Sequence, residues 1–417
     1  GFTESASAGV DQSICGSLTA TLSGNTPSHG SGLWTVVTRP AGSSVTFSNS
    51  GSPLSTVTVS HYGSYTFRWT LTGTGGSGCS TRDDVEVWFE PKPSITAVSD
   101  TICNDTFTNI TPVSSTTTVR YGLRYTWTVE DVDNIINGEA SSEGNGMPLG
   151  ESIIQQLNNP DNVAHKVIYH IRPWTIMSDG SLHCAGDEIS IEIWVEPTVV
   201  ITAASDTICD GEATSIVVSS INSATRGIRY TWTVTDNPAV EGASSSTGQG
   251  QLIGTPIVQT LNNTSDDYQV VQYTITPWTI DNDGNNKCSG SPVIVDIFVE
   301  PTVVITAASD TICDGEATSI VVSSINSATR GIRYTWTVTD NPAVEGASSS
   351  TGQGQLIGTP IVQTLNNTSD DYQVVQYTIT PWTIDNDGNN KCSGSPVIVD
   401  IFVEPTVVIT AASDTIC

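Results

Sequence analysis

The stretch PVIVDIFVE (Pro292–Glu300) decides the fold class. Two sets of side chains alternate along it, and the members of the first set are Val293, Val295, Ile297 and Val299. A period of two is typical of a β-strand that turns one face toward a core. QVVQYTITPW (Gln269–Trp278) alternates in the same way. We therefore expect strands that pack one face inward.

Further strand-like runs surround these two. They are VVITA (Val199–Ala203), TSIVVSS (Thr214–Ser220), RYTWTVT (Arg229–Thr235) and PIVQTL (Pro256–Leu261). Turn-forming stretches such as DGEA (Asp210–Ala213) separate them. No stretch sustains the apolar spacing of a helix. Six or seven short strands in a segment of this length predict an all-β fold, an immunoglobulin-like β-sandwich.

The chain is a string of modules. Thr198–Pro301 and Thr302–Pro405 are identical, with a period of 104 residues, and a diverged copy precedes them. We predict a variant sandwich at residues 1–90, repeat 1 at 91–196, repeat 2 at 197–300, repeat 3 at 301–404 and the start of a further repeat at 405–417. A single proline joins consecutive modules and adds no slack. We therefore expect a tandem array that forms an elongated rod.

Composition excludes several classes of partner. The chain has 43 acidic and 14 basic residues, for a net charge of −29. Such a chain is a poor partner for nucleic acid or for an anionic membrane surface. No apolar run approaches 18 residues, so we expect no membrane insertion. An export signal, if the protein has one, is expected to have been removed or to lie upstream.

Nine cysteines follow the module period, with one early and one late in each complete module. In an acidic, secreted-type chain this pattern indicates one disulfide per module. The favoured pairing is within modules, with Cys417 unpaired in this chain: Cys15–Cys79, Cys103–Cys184, Cys209–Cys288 and Cys313–Cys392. An alternative follows if the two cysteines of a module lie at opposite ends of its sandwich. Cys209 would then reach Cys392 and Cys103 would reach Cys288, across the joints between modules.

One turn in each identical repeat has the beginnings of a calcium site. Oxygen side chains alternate at Asp281, Asp283 and Asn285, and at the equivalent Asp385, Asp387 and Asn389. Oxygen ligands at positions 1, 3 and 5 open a calcium-binding loop. However, no glutamate follows at position 12, and the same letters suit an Asn/Asp-Gly hairpin turn. Calcium and the hairpin turn both remain open, and no other cofactor is expected.

Tryptophan recurs in two phrases. Trp232 and Trp336 in YTWTV lie mid-strand, where a sandwich core takes a large side chain. Trp278 and Trp382 in PWTI suit either a structural role or an aromatic platform for sugars.

Catalysis finds no support in the sequence. The identical repeats contain no histidine that could act as a base, and no GxSxG or HExxH motif occurs. We therefore predict that the chain is not an enzyme.

The ordered phrases SDTICDGE, YTWTV, YTITP, CSGSP and VEP resemble the PKD-like repeats of very long Bacteroidota surface proteins, best known from the SprB-like gliding motility adhesins. The resemblance covers Pro91–Cys417. It implies type IX secretion, display at the outer-membrane surface, and partners in the secretion and gliding machinery. It also implies O-glycosylation at the Asp-Thr-apolar threonines Thr101, Thr207, Thr311 and Thr415; a strand-edge threonine beside a disulfide is the simpler interpretation.

These patterns favour a structural function. We predict a stalk or filament segment of a long secreted adhesin, whose nearest partners are neighbouring repeats of the same chain. Identical copies fit this role because length is the property that a stalk multiplies. The alternative is a repetitive array that binds a surface polysaccharide or another glycan weakly at each repeat and acts by avidity. A third class, an accessory module of a secreted hydrolase, would need a catalytic domain outside this chain.

Overall fold

The computed structural model describes residues 4–74 and 78–413, which form β-strands and no helix. The predicted all-β fold is confirmed, and its immunoglobulin-like sandwich modules follow one another along the chain. The chain divides into two compact units, Gly1–Thr198 with Ser223–Thr225 and Val199–Asn222 with Arg226–Cys417. The first unit holds the variant module and repeat 1, and the second holds repeats 2 and 3. The predicted module boundaries stay predictions.

The first module is a sandwich of two sheets. Its strands are β1 (Gln12–Cys15), β2 (Thr19–Thr21), β3 (Ser31–Thr38), β4 (Val45–Phe47), β5 (Thr56–Val59), β6 (Gly63–Thr72) and β7 (Ser80–Glu90). One sheet has the order β1-β7-β6-β3 and the other the order β2-β5-β4. Trp34 and Trp69 fill the space between them, with ring centroids 4.9 Å apart. Both rings are buried, so this pair anchors the core.

Repeat 1 is built around one large sheet. Its strands are β8 (Asp100–Ile102), β9 (Thr106–Phe107), β10 (Leu123–Asp131), β11 (Met147–Pro148), β12 (Gln156–Leu157), β13 (His165–Ile176), β14 (Leu182–Ala185) and β15 (Ile189–Val195). The sheet order is β11-β10-β13-β15-β8, with β14 also paired to β13. Strands β9 and β12 form a second, two-stranded sheet.

Repeats 2 and 3 share one topology. The strands of repeat 2 are β16 (Ile201–Thr202), β17 (Asp206–Ile208), β18 (Ser219–Ser220), β19 (Ile228–Val234), β20 (Val240–Glu241), β21 (Gln251–Leu252), β22 (Asn262–Asn263), β23 (Gln269–Ile280), β24 (Asn286–Ser289) and β25 (Val293–Val299). Those of repeat 3 are β26 (Ile305–Thr306), β27 (Asp310–Cys313), β28 (Ser323–Ser324), β29 (Ile332–Val338), β30 (Val344–Glu345), β31 (Gln355–Leu356), β32 (Asn366–Asn367), β33 (Gln373–Ile384), β34 (Asn390–Ser393) and β35 (Val397–Glu404). The main sheet of repeat 2 runs β17-β25-β23-β19-β21, and that of repeat 3 runs β27-β35-β33-β29-β31.

The alternation read from the sequence is the burial pattern of the central strands. On β23, Val271, Tyr273 and Ile275 are fully buried, while the residues between them are half-buried on the other face. Trp232 and Trp336 lie in the core with 8% and 7% of their surface exposed. The prediction that the YTWTV tryptophans are core residues is therefore confirmed.

A short parallel pairing positions the early cysteine of each repeat. Strand β17, the DTI of SDTIC, pairs in parallel with the closing strand β25, so that Ile208 lies opposite Val299. Cys209 therefore lies beside the far end of β25. Cys288 lies on β24, which precedes the start of β25. The two cysteines of one repeat are thus separated by seven strand residues, a length of about 23 Å.

Candidate functional site at the joints between modules

Disulfides cross the joint inside each unit. In the first unit Cys15 of the variant module is bonded to Cys184 of repeat 1. In the second unit Cys209 of repeat 2 is bonded to Cys392 of repeat 3. In both bonds the Cα atoms are 5.5 Å apart. Each joint therefore carries a covalent link between an early cysteine and the late cysteine of the next module.

The favoured within-module pairing is wrong. Cys15, Cys184, Cys209 and Cys392 are bonded across joints, which removes one partner from each predicted pair: Cys15–Cys79, Cys103–Cys184, Cys209–Cys288 and Cys313–Cys392. The physical reason is the parallel pairing of β17 with β25, which holds the two cysteines of a repeat at opposite ends of the closing strand. Disulfides need Cα atoms within about 7 Å.

Five cysteines remain, of which Cys79 is exposed. The alternative pairing across joints is confirmed for Cys209 and Cys392. Cys103 and Cys288 are disulfide-bonded as well, and the bond that would join them to each other stays a prediction. Cys313 carries an exposed free thiol. Cys417, expected to be unpaired in this chain, lies outside the described residues.

A buried glutamate lies at the joint between repeats 2 and 3. Glu300, the last residue before the connecting proline, has no exposed surface. Its carboxylate accepts hydrogen bonds from the Thr329 amide of repeat 3, at 3.2 Å to each oxygen, and from the Thr329 hydroxyl. Lys391 of repeat 3 donates a hydrogen bond to the Thr207 carbonyl of repeat 2. The two repeats therefore share a polar network beside their disulfide.

The joint in the first unit uses the same position with different partners. Glu90 is 1% exposed, and it accepts a 2.6 Å hydrogen bond from the Thr175 hydroxyl of repeat 1. That hydroxyl in turn accepts the Cys184 amide at 3.2 Å. Arg120 of repeat 1 donates to Glu86 at 2.8 Å and lies 5.3 Å above the Trp88 ring of the first module. The network thus links the buried carboxylate to the disulfide itself.

These glutamates were missed at the level of sequence. A signal was present, because every module closes on a Phe/Val-Glu-Pro phrase, with Glu90, Glu196, Glu300 and Glu404 in the same position. A charged residue at a strand end is ordinarily exposed. A carboxylate can be buried at this position only because a neighbouring module covers it and supplies hydrogen-bond donors.

Backbone pairing and a cleft complete the joint of the second unit. The Tyr268 amide of repeat 2 donates to the Ser327 carbonyl of repeat 3 at 2.7 Å, and the Ser327 amide donates back to Asp266 at 3.1 Å. Beside this pairing is a cleft of about 210 Å³, lined by Thr207, Tyr268, Phe298, Thr329 and Arg330. The Tyr268 and Phe298 ring centroids are 6.4 Å apart. The cleft offers two aromatic rings and one guanidinium group.

The calcium candidates lie in a hairpin turn between β23 and β24. The Asp281 carboxylate accepts the amides of Asp283 and Asn285, at 2.9 and 2.7 Å. These bonds, the one from Asn285 foremost, lower the pKa of Asp281, and the same arrangement lowers that of Asp385. Asp281 and Asp385 therefore already stabilise their own turns. In repeat 3, Asp387 and Asn389 make the same hydrogen bonds to Asp385. Among the described residues, no group of three or more His, Cys, Asp or Glu side chains could hold a metal. Calcium binding at these turns remains a prediction.

The other candidate residues are dispersed. Thr101 and Thr207 are half-buried on the strands that pair with the closing strands, Thr311 is exposed, and Thr415 lies outside the described residues; O-glycosylation remains a prediction. Trp278 and Trp382 are half-buried, and their indole nitrogens donate to Thr231 and Thr335 at 3.0 Å. These contacts give both indoles a structural role.

The sequence model of the PKD-like domain matches residues 100–199, 206–303 and 310–407. The chain belongs to the PKD-like domain family. The three matches cover repeats 1, 2 and 3, so the joint between repeats 2 and 3 connects two PKD-like domains. None of the curated proteins compared with the chain matches it. No helix among the described residues is long and apolar enough to cross a membrane.

Solved structures of tandem modules resemble the PKD-like chain distantly. An ICAM-5 D1–D4 ectodomain fragment is 13% identical with a TM-score of 0.34, and the match covers 97% of this chain and 99% of the fragment. Protocadherin gamma B2 extracellular cadherin domains 3–6 are 10% identical with a TM-score of 0.27, covering 97% and 99%. Drosophila N-cadherin EC1–4 is 12% identical with a TM-score of 0.24, covering 92% and 94%. Similarity of this degree carries no argument about function.

Proposed function

We propose that this chain is a structural segment of an extracellular protein, a spacer that holds an adhesive or other functional part away from its point of attachment. One observation supports the proposal above the others: in both units a disulfide and a buried glutamate join consecutive sandwiches. A linker between independent binding modules needs neither. Disulfides are typical of proteins that fold outside the reducing cytosol.

The joint chemistry supports stiffness. A disulfide fixes two Cα atoms within a narrow range of distance, and at the joint of repeats 2 and 3 the Glu300–Thr329 bonds and the backbone pairing of Tyr268 with Ser327 add further attachment points. Several non-collinear attachments resist bending more than a single connecting peptide does. We therefore infer that successive repeats add length in a defined direction, as a spacer requires.

A glycan-binding array is the second candidate. The cleft lined by Tyr268, Phe298 and Arg330 supports it, because aromatic faces and a guanidinium group suit sugar rings and their substituents. Each joint between repeats of this sequence would add one weak site, and avidity would multiply the affinity. Surface polysaccharide is the ligand class we propose for this case.

The finer assignment rests on the resemblance of the repeat phrases to those of gliding bacteria. On that basis we propose export by the type IX system, a place at the outer-membrane surface, and a role in gliding motility and attachment with the machinery that moves the filament. Surface labelling of the source cells with antibodies to the repeats, before and after disruption of the type IX system, tests this. Surface signal that persists after disruption would contradict it.

Electron microscopy of the whole chain tests the spacer. We expect a narrow distribution of end-to-end distances, which broadens when Cys209→Ser and Cys392→Ser are introduced together. Distances already as broad as those of a flexible linker in the intact chain would contradict the proposal. A glycan screen with the whole chain tests the second candidate. Binding that Tyr268→Ala abolishes would support an array. Trp278→Ala serves as the comparison variant, and the fold of both variants is checked.

A further inference from the structure

The disulfides that cross the joints also determine which parts of the backbone can carry tension. A covalent bond between Cys209 and Cys392 closes a loop over 183 residues. A pull along the chain enters this loop at one cysteine and leaves it at the other, so the load passes through the sulfur atoms. The 182 residues inside the loop stay slack, because the disulfide is the shorter covalent path between the same two cysteines. The bond between Cys15 and Cys184, over 169 residues, acts in the same way.

The shortest covalent path through the chain is therefore very short. It runs from Cys15 to Cys184, along the backbone to Cys209, and across to Cys392. Only the 25 positions from Cys184 to Cys209 on this path are backbone. Fully extended, they span about 90 Å. The 377 positions from Cys15 to Cys392 would span about 1,300 Å without disulfides.

The same disulfides keep neighbouring modules covalently joined when the backbone between them is cut. Within-module disulfides would leave every connecting stretch as the single covalent link between neighbours. Here the bond Cys15–Cys184 spans the stretch from Cys79 to Cys103, and Cys209–Cys392 spans the stretch from Cys288 to Cys313. A peptide bond broken in either stretch leaves both halves joined. Parts of these stretches are exposed, such as Ser291 and Pro292, and a protease cut there would otherwise sever the chain.

We propose that the cross-joint disulfides serve a further function, which is to keep the chain covalently continuous and nearly inextensible under tension, including after a backbone cut at a described joint. The proposal deepens the spacer function and rests on it, since a spacer in an extracellular setting meets both pulling and proteases. The repeats inside the loops can then lose their folded structure without lengthening the chain.

A cut at two identical loops tests the continuity. The loop SGSP occurs at residues 289–292 and again at 393–396, and Ser291 and Pro292 are exposed. A specific protease site is inserted after Ser291 in one whole-chain variant and after Ser395 in another, both with Cys417→Ser. After cleavage we expect one band from the first variant on a denaturing, non-reducing gel and two bands after reduction. The second variant should give two bands in both lanes, because no described disulfide spans its cut.

Two non-reduced bands from the first variant would overturn the proposal. A third variant, with the first cut and Cys209→Ser together, should also fall into two pieces without reduction. The assay is read in denaturant, so it reports connectivity even where an insertion disturbs the fold. One band combined with broad end-to-end distances in microscopy would leave covalent continuity intact and contradict the spacer function alone.

Single-molecule stretching tests the load path. Handles are attached before Cys15 and after Cys392, and the total gain in length on unfolding is measured. We expect a gain limited to about 90 Å, rising about 15-fold with a reductant. Within-module pairing would instead give roughly 260 Å, the length of the three stretches that connect modules. A gain of that size, or one that a reductant does not change, would overturn the proposal.

Discussion

Glu300 and Glu404 occupy the same position in two repeats of identical sequence, yet Glu300 has no exposed surface and Glu404 is exposed. Tyr268 is 38% exposed and its copy Tyr372 is 62% exposed. Cys209 is in a disulfide, whereas Cys313 is a free, exposed thiol. Since the sequences are the same, these differences come from the module that covers the end of repeat 2. The end of repeat 3 shows the uncovered form of that surface.

The largest expected difference between the two ends is in thiol chemistry. In a folded chain of residues 1–417 we expect Cys313 to react completely with a maleimide, and Cys209 not to react. Adding a further copy of residues 302–405 after Pro405 should protect Cys313, because the new repeat supplies the late cysteine that Cys392 supplies to Cys209. Mass spectrometry of labelled peptides measures both. If the added repeat leaves the labelling of Cys313 unchanged, a following repeat does not in general form a disulfide with the early cysteine of the repeat before it.

The buried carboxylate should show the next largest difference. Glu300→Ala removes a buried carboxylate and leaves the half-buried Thr329 amide and hydroxyl without their acceptor, and we expect a loss of about 2 kcal/mol in the free energy of unfolding. Glu404→Ala changes an exposed side chain and should cost less than about 0.5 kcal/mol. Denaturant unfolding of the two whole-chain variants makes the comparison. Equal losses would mean that the joint contributes nothing to the role of this glutamate.

The aromatic side chains should differ by less. Tyr268→Ala removes a ring that the next repeat partly covers, whereas Tyr372→Ala removes one that only its own repeat contacts. From the difference in buried surface we expect the first change to destabilise the chain by about 1 kcal/mol more than the second. Midpoints of thermal unfolding provide the measurement. A larger effect at Tyr372 would contradict the view that the joint buries the ring at Tyr268.

The hairpin turns should behave alike in both repeats, which makes them the control. Amide hydrogen bonds lower the folded-state pKa of Asp281 and of Asp385 below the ordinary value. The stabilisation is therefore present above the unfolded-state pKa and is lost as the pH falls through the folded-state pKa. Carbon-detected NMR titration of the two carboxyl groups should give equal, lowered values. If added calcium instead shifts only the resonances of these two carboxyl groups and binds with measurable heat, the metal site would be favoured.

The fold was within reach of the sequence because its signal is local. Val293, Val295 and Ile297 alternate within a few residues of each other, and that period alone identifies a half-buried strand. The core position of Trp232 follows from the same reasoning. The PKD-like repeats were recognisable because two of them are letter-for-letter copies.

The cross-joint disulfide was one of two open alternatives, and the sequence could not decide between them because the deciding signal is not local. Strand β17 has three residues, and nothing in DTI indicates that it pairs in parallel with a strand about 90 positions later. A count of two cysteines per module fits both pairings equally well. The burial of Glu300 depends on Thr329, which belongs to the following repeat. The glutamate before each closing proline is visible in the sequence, but the donor that explains its burial lies in the following module.

The span of the disulfides has a consequence for how the protein matures. Cys209 and Cys392 are 183 positions apart and belong to consecutive repeats, and a chain is made and emerges from its amino end. Cys209 therefore cannot complete this bond until the late cysteine of the next repeat has been made. Where oxidation keeps pace with synthesis, it follows the order of the repeats, and the newest repeat holds a reduced cysteine until the next repeat is complete. A reagent that caps thiols during synthesis would record that order, repeat by repeat.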